Sequence, residues 1–253
     1  MDNITIIGRS KSKSVSEINK NTSINRYSHK CSGIVNYGLA GEAMKNFVAK
    51  HPSITNKPII NRFVGCSKYK AIKDAEKGGI TVPETLLALP THYKKDTFLS
   101  KMLHSQGGKG IIKATSCKQV VDRYYQKFIT NRRYELRIHS FAWIDQKEWA
   151  VQKRLGKDDV IAWNFHNGGH FQTVHNPNAY KIFSYAKEIS GQILKIRNMS
   201  FGAVDFVVTN DDTLYFLEIN SAPGFTELSK GIYIGAMSRL TTLTKKEFIT
   251  FCT

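Results

Sequence analysis

Residues 201–225 read FGAVDFVVTNDDTLYFLEINSAPGF. Two apolar runs, Ala203 to Thr209 and Thr213 to Ile219, flank the turn formers Asn210, Asp211 and Asp212, which is the pattern of a β-hairpin. Acidic and amide side chains interrupt the apolar pattern: Asp205 on the first strand, Glu218 and Asn220 on the second. Residues two apart on a strand share a face, so Glu218 and Asn220 point the same way, and alternation turns Asp205 away from its apolar neighbours. A carboxylate inside an apolar strand is costly to bury unless a cation meets it. Three oxygen donors on adjacent strands suit a hard cation, and Mg2+ takes a few carboxylates together with phosphate oxygens and water. A carboxylate such as Glu218 can bridge two ions. The bland alternative is a solvated strand face ending in a Gly-Pro turn.

Outward from this hairpin, three other stretches carry chemistry. Phe98-Leu99-Ser100-Lys101 precedes the loop His104-Ser105-Gln106-Gly107-Gly108-Lys109-Gly110. A strand lysine before a glycine loop can grip phosphate oxygens, because glycines let backbone N–H groups approach closely. The loop is not a Walker A motif, since the Gly-Lys-Ser/Thr ending is missing, and Gly-Gly-Lys-Gly is also a common surface turn. Tyr125-Gln126-Lys127-Phe128-Ile129 can offer backbone groups to an adenine edge and apolar side chains to its faces, or be an ordinary core strand. The mixed basic and aromatic segment from Tyr124 to Arg137 reads as core strands with basic rims rather than a nucleic-acid platform. His166, His170 and His175 fit no standard structural zinc spacing, and no cysteine lies near them.

The rest of the chain alternates helices and strands in an α+β order with no internal repeat. Asn3 to Ile7 predicts a strand; residues 9 to 32, rich in Ser, Asn and Lys, predict a long loop or mobile arm. Tyr37 to Lys50 has helical spacing, and Lys57 to Asn61 reads as a short strand. Ser67 is placed to cap a helix to Lys77 that Gly78-Gly79 stops. Pro83 introduces the strand ETLLAL, and further strands are expected at residues 97–103, 124–129, 135–144 and 148–153. A helix is expected from Ala179 to Lys195, and another after Gly231.

Composition sets wider bounds. The 253 residues are 41% hydrophobic, enough for a real core, and carry a formal net charge of +17, a field that attracts anions such as nucleic acid, ATP or an acidic peptide. No apolar run suits a membrane span, and the first residues lack a signal-peptide pattern. The four widely spaced cysteines form no Cys-x-x-Cys pair, so a cytoplasmic location is expected.

Taken in order, these motifs resemble the ATP-grasp superfamily, and within it the RimK-type ribosomal-protein glutamate ligases, over roughly residues 58 to 228. SKYKAIKDAEKGGITVPET is similar to that group's lysine helix followed by Gly-Ile-x-x-Pro-x-Thr. The resemblance implies an α+β ATP-grasp fold, two subdomains clasping ATP over residues 63–253, behind a reduced N-terminal lobe with a basic mobile arm at 1–62. It implies nucleotide contacts from Lys70, from Lys101, from the loop Gly107, Gly108, Lys109 and Gly110, and from the adenine hinge Gln126, Lys127, Phe128 and Ile129. Glu135-Leu136-Arg137 is similar to the group's acidic-Ile-Arg motif, which implies Glu135 on the ribose. Lys101, Arg137, Arg154 and Asn164 are expected to be catalytic, the last two lining the acyl-phosphate side. Asp205, Glu218 and Asn220 match the Mg2+ triad, with two ions implied and Mn2+ an alternative. The implied reaction joins a carboxylate to an amine through an acyl phosphate at the expense of ATP. The expected acceptor is an acidic peptide, protein or other macromolecule such as a modified nucleic acid, docked with help from residues 9 to 30. A small-molecule dipeptide or amide ligase and a nucleic-acid-binding protein with a vestigial fold are the alternatives.

Overall fold

The computed structural model describes residues 3–65, 67–104, 110–115, 120–156, 160–161, 163 and 169–252. The first part is a parallel sheet of β1 (Ile4–Gly8), β2 (Asn25–Arg26), β3 (Gly33–Tyr37) and β4 (Ile59–Ile60), in the order β2-β1-β3-β4. β3 is buried along its whole length, which removes the alternation that marks a strand in sequence. The segment expected as a loop or mobile arm instead contains the helix α1 (Lys13–Asn21) and the edge strand β2. Ser12 caps α1 by accepting from the Val15 N–H, and Val15 and Ile18, three apart on one face, are buried. The helix expected from Tyr37 starts only at Gly41, because Tyr37 completes β3; α2 then runs from Gly41 to Lys50.

The second part begins with α3 (Lys68–Lys77). Ser67 caps it as expected, and Gly79, at φ +78°, supplies the left-handed turn that ends it. A four-stranded antiparallel sheet follows: β5 (Thr85–Leu86), β6 (Phe98–Met102), β7 (Ile112–Lys113) and β8 (Arg123–Lys127), in the order β5-β8-β6-β7. The strand expected over ETLLAL shrinks to its two residues paired with β8.

The third part is a five-stranded antiparallel sheet of β9 (Arg132–Phe141), β10 (Ala150–Leu155), β11 (His170–Thr173), β12 (Phe201–Thr209) and β13 (Leu214–Asn220), in the order β11-β10-β9-β12-β13. Leu136, Ile138, Val151, Val204, Phe206 and Phe216 share one face and pack on α4 (Lys181–Ile196) and on Ile72 and Ala75 of α3. The opposite face is split. One end, with Phe141 and Phe201, joins Ile4, Ile6 and Tyr37 of the parallel sheet and Tyr233 and Met237 of α5 (Glu227–Thr242) in a second core. The other end is polar. A short α6 (Lys245–Thr250) closes the described chain, so the helix expected after Gly231 starts earlier and is followed by a second.

One buried residue fastens the parallel sheet to the large one. Asn61, at φ +57°, accepts from the Ser200 N–H at 2.7 Å and donates to the Phe201 carbonyl at 3.0 Å. Its own carbonyl accepts from Asn36 Nδ2 at 2.9 Å. Among the described residues no helix is long and apolar enough to cross a membrane.

Candidate active site

The polar half of the five-stranded sheet is the floor of a cleft of about 1170 Å³. Strand register builds it. Gln152, Arg137, Asp205 and Glu218 stand side by side across β10, β9, β12 and β13, and two residues along lie Arg154 and Glu135 as direct partners. Residues opposite one another in an antiparallel sheet bring their Cβ atoms to roughly 4.5–5.5 Å, so these charges interact. The register shifts between Asp205 and Phe206, a bulge that lets β13 carry Leu217 as an extra residue beside Glu218.

The charges pair with one another. Arg137 donates from Nε and Nη2 to the two oxygens of Asp205, each at 2.7 Å. Arg154 donates from Nη1 to Glu135 Oε2 at 2.7 Å and from Nη2 to Asp205 Oδ2 at 3.4 Å. The Phe171 ring lies against both guanidinium groups. Lys68 Nζ sits 2.6 Å from Glu218 Oε2, and Asn220 Nδ2 donates to Glu218 Oε1 at 3.2 Å. Burial disfavours the Asp205 and Glu218 charges, but Arg137 at the first and Lys68 at the second outweigh it and hold both carboxyls below their ordinary values. At Glu135 burial wins over Arg154, and the carboxyl is raised. Beneath this row His139 Nε2 donates to Gln152 Oε1 at 2.9 Å, and the Tyr233 hydroxyl donates to Nδ1 at 3.2 Å; burial pushes the His139 pKa down to about 4, so the ring is neutral.

The roof comes from β6 and β8. Lys101 donates to Gln126 Oε1 at 2.5 Å, and Gln126 Nε2 donates to Thr85 Oγ1 at 3.2 Å. Burial lowers the Lys101 pKa to about 8, with the Glu218 charge acting to raise it and Lys68 to lower it. Gln126, Lys127, Phe128 and Ile129 follow one another along the cleft wall. Arg132 closes one end, donating to the Val160 and Ile161 carbonyls and lying 4.1 Å from the Trp163 ring centroid. Arg9, Lys11 and Lys13 of the first lobe and Lys230 of α5, the last paired with Glu17, also line the cleft, where basic side chains are twice as many as acidic ones. Tyr37 donates to the Pro223 carbonyl at 2.9 Å, and the left-handed Gly38 lies against Ala222; a Cβ there would meet the Ala222 methyl at 2.4 Å. The loop after β13 is thereby fixed to the first lobe.

Most of the residues expected in a site are brought together here: Lys101, Gln126, Lys127, Phe128, Ile129, Glu135, Arg137, Arg154, Asp205, Glu218 and Asn220 all line the cleft. Two are not. Lys70 points to solvent and pairs with Asp74 at 3.0 Å; Lys68 faces the cleft in its stead. The cause is helical phase, since two residues on a helix differ by roughly 200°. Gly110, at φ +73°, packs on Met102 and accepts from Arg123, while the next residue, Ile111, lines the cleft. Gly107, Gly108, Lys109 and Asn164 lie outside the described residues, as does His166. Sequence reasoning passed over Lys68, Arg132, Thr85 and Trp163, none of which stands out by type or spacing. The donor set fits a hard divalent cation: Asp205 and Glu218 face each other in register, and the Asn220 amide oxygen lies on the same strand face as Glu218. No group of three His, Cys, Asp or Glu capable of holding a metal occurs among the described residues.

Comparison with solved structures settles the architecture. The ATP-grasp ligase PsnB, in a complex with a phosphomimetic variant of its minimal precursor, Mg and ADP, superposes with a TM-score of 0.63 at 11% identity, over 95% of this chain and 99% of that one. The chain has the ATP-grasp fold. The macrocyclase MdnC from Microcystis aeruginosa, bound to its precursor peptide MdnA, is similar over 93% of this chain and 97% of its own, with a TM-score of 0.55 and 13% identity. VanG, a D-Ala:D-Ser ligase from Enterococcus faecalis, is similar over 89% and 73%, with a TM-score of 0.55 and 15% identity. Residues 171–239, from the edge strand β11 into α5, match the family model of the D-ala D-ala ligase C-terminus. No curated protein matches the chain by sequence. The carboxylate-bearing hairpin β12–β13 lies within the stretch that the family model matches.

Proposed function

We propose that this ATP-grasp chain is an ATP-dependent carboxylate–amine ligase that forms an amide bond through an acyl phosphate. One observation carries the reading. The Asp205, Glu218 and Asn220 face and the Lys101–Gln126 pair, from different sheets, line one cleft together with Arg137 and Arg154. The cleft joins a cation-holding floor to a phosphate-gripping wall, and the fold's solved relatives include ligases complexed with Mg and ADP.

The substrate carboxylate attacks the γ-phosphorus, the bond to the β,γ-bridging oxygen breaks, and ADP leaves. The amine then attacks the acyl carbon and expels phosphate. Little covalent help is needed from the protein; positioning and charge neutralisation supply the rate. Gln126, Lys127, Phe128 and Ile129 hold the adenine, Glu135 the ribose, and Lys101 with Gly107, Gly108 and Lys109 the phosphates. Lys68 takes the place first given to Lys70. Arg154, Arg137 and Asn164 stabilise the acyl phosphate and the charge that develops as it forms. Asp205, Glu218 and Asn220 would hold Mg2+, as one or two ions that Mn2+ could replace, and the bound ion would supply charge neutralisation at the phosphate oxygens.

The acceptor in this proposal is an acidic peptide or protein segment. Arg9, Lys11 and Lys13 line the cleft and fit negative charge; Lys230, also on the lining, is paired with Glu17. PsnB and MdnC, both similar in fold, were solved with precursor peptides. The order of motifs over residues 58–228 supports a place near the RimK-type ligases, with residues 1–62 as the acceptor lobe, 63–253 as the nucleotide-clasping domain, and the cytoplasm as the site of action. The match to a D-ala D-ala ligase model favours one second reading, a small dipeptide ligase. The separating test is ADP release with pools of acidic peptides or of free amino acids, followed by mass spectrometry of the enlarged product. Release with peptides alone supports the proposal; release with free amino acids alone supports the second reading, and no release with either overturns both.

A further inference from the structure

Glu218 is held by donors from two elements. Lys68, the first residue of α3, places Nζ 2.6 Å from Oε2, and Asn220 of β13 donates to Oε1. The Lys68 and Glu218 side chains are only 22% and 28% exposed, so solvent screens the pair weakly. A divalent cation needs the same carboxylate oxygens, and an ammonium in hydrogen-bonding contact blocks one of them. Lys68 is also suited to move. Its ammonium is a point charge on a four-carbon stem, unlike the planar forks of Arg137 and Arg154, which are locked in two-pronged or shared pairs. It lines the cleft with Lys101, and its charge is felt there.

We propose that Lys68 is a resident counter-ion of Glu218 that competes with the divalent cation and is handed to the nucleotide phosphates when the cation takes the carboxylate. The inference rests on the ligase reading's assignment of Glu218 as a metal ligand, and gives Lys68 a positioning role in addition to phosphate contact. Metal alone binds against Lys68; phosphate gives the displaced ammonium a new partner. Cation and nucleotide therefore favour each other's binding, and by linkage the effect is reciprocal. The first turn of α3, which carries Lys68, becomes the element that senses whether both have arrived.

The test is titration of Mn2+ into the full chain without nucleotide, with free Mn2+ read by electron paramagnetic resonance. Lys68→Gln removes the competitor and is expected to tighten Mn2+ binding by roughly tenfold or more, the scale of losing a like charge beside the site. Lys68→Arg keeps the charge and can close a planar fork on the carboxylate, so Mn2+ binding no tighter than wild type is expected. Glu218→Gln is expected to abolish the binding. Lys68→Gln binding no tighter than wild type, while Glu218→Gln loses the metal, overturns the inference and leaves the metal site standing. Tightening in Lys68→Arg also overturns it, and needs no uncharged variant to fold. Glu218→Gln binding Mn2+ as wild type does removes the metal assignment and the inference together.

Discussion

Arg137 and Asp205 form a two-pronged ion pair, Nε to Oδ1 and Nη2 to Oδ2, on neighbouring strands at the centre of the large sheet. Asp205 is buried and Arg137 nearly so, so each charge depends on the other. Removing one partner of such a pair leaves an uncompensated charge and typically costs about 3–5 kcal/mol. Arg137→Met is expected to lower stability by that order in urea unfolding, and Arg137→Met with Asp205→Leu to be more stable than Arg137→Met alone. A single variant as stable as wild type contradicts the dependence.

Lys101 ties the roof of the cleft to its chemistry. Its pKa of about 8 in the free protein follows from burial, and phosphate oxygens beside it raise that value. Near pH 8 the free side chain is partly neutral and the nucleotide-bound one charged, so binding takes up a fraction of a proton. Calorimetry of ADP binding in buffers of different ionisation enthalpy reads that uptake. Lys101→Ala is expected to lose the uptake and to weaken nucleotide affinity by at least about tenfold, in the range of a charge-assisted hydrogen bond. Unchanged affinity counts against the assignment.

How much of this was legible in the sequence divides along physical lines. The β12–β13 hairpin announced itself because carboxylates interrupt strands that are otherwise apolar, and the register does bring Asp205 opposite Glu218. The cap at Ser67 and the stop at Gly79 were equally plain. By contrast, α1 has only Val15 and Ile18 as a buried apolar face among Lys, Ser and Asn; packing on α5 and β1 holds it, and that packing has no local signature. The strand β3 hid because it is buried on both faces. Lys68 and Lys70 could not be ranked without helix phase, and the salt pairs of Arg137 and Arg154 depend on strand register, which composition does not encode.

His139 makes the site's foundation acid-sensitive. Its folded pKa of about 4 lies below the ordinary 6.5, mainly through burial. Between those values the unfolded chain binds a proton that the folded chain does not, so stability falls as pH drops from about 6.5 through 4. The His139 contribution is of order 1–3 kcal/mol, taking about 1.4 kcal/mol per pKa unit as an upper scale. Urea unfolding at pH 7 and pH 4.5 is expected to show a smaller acid loss in His139→Gln than in wild type. Equal losses contradict it.

The basic residues of the first lobe that line the cleft favour an acidic acceptor in the proposed reaction. Lys11→Glu with Lys13→Glu reverses two charges of the first lobe, where Arg9 also lines the cleft, whereas Lys101 and Glu218 belong to strands of the other two sheets. The expected outcome is a rise in KM for an acidic peptide of about tenfold at low ionic strength, shrinking as salt is added, with KM for ATP little changed. Equal effects on both substrates, or none on the peptide, point away from an acidic acceptor.

The most direct measurement is a calorimetric titration of ADP into the wild-type chain and Glu218→Ala, each with Mg2+ and with chelator. Tight binding by wild type only when Mg2+ is present, lost by tenfold or more in Glu218→Ala with its thermal unfolding unchanged, is the expected result, a difference of about 1.4 kcal/mol or more. Absence of nucleotide binding by wild type, or binding indifferent to Mg2+ and to Glu218, contradicts a cleft built to hold a metal-bound triphosphate.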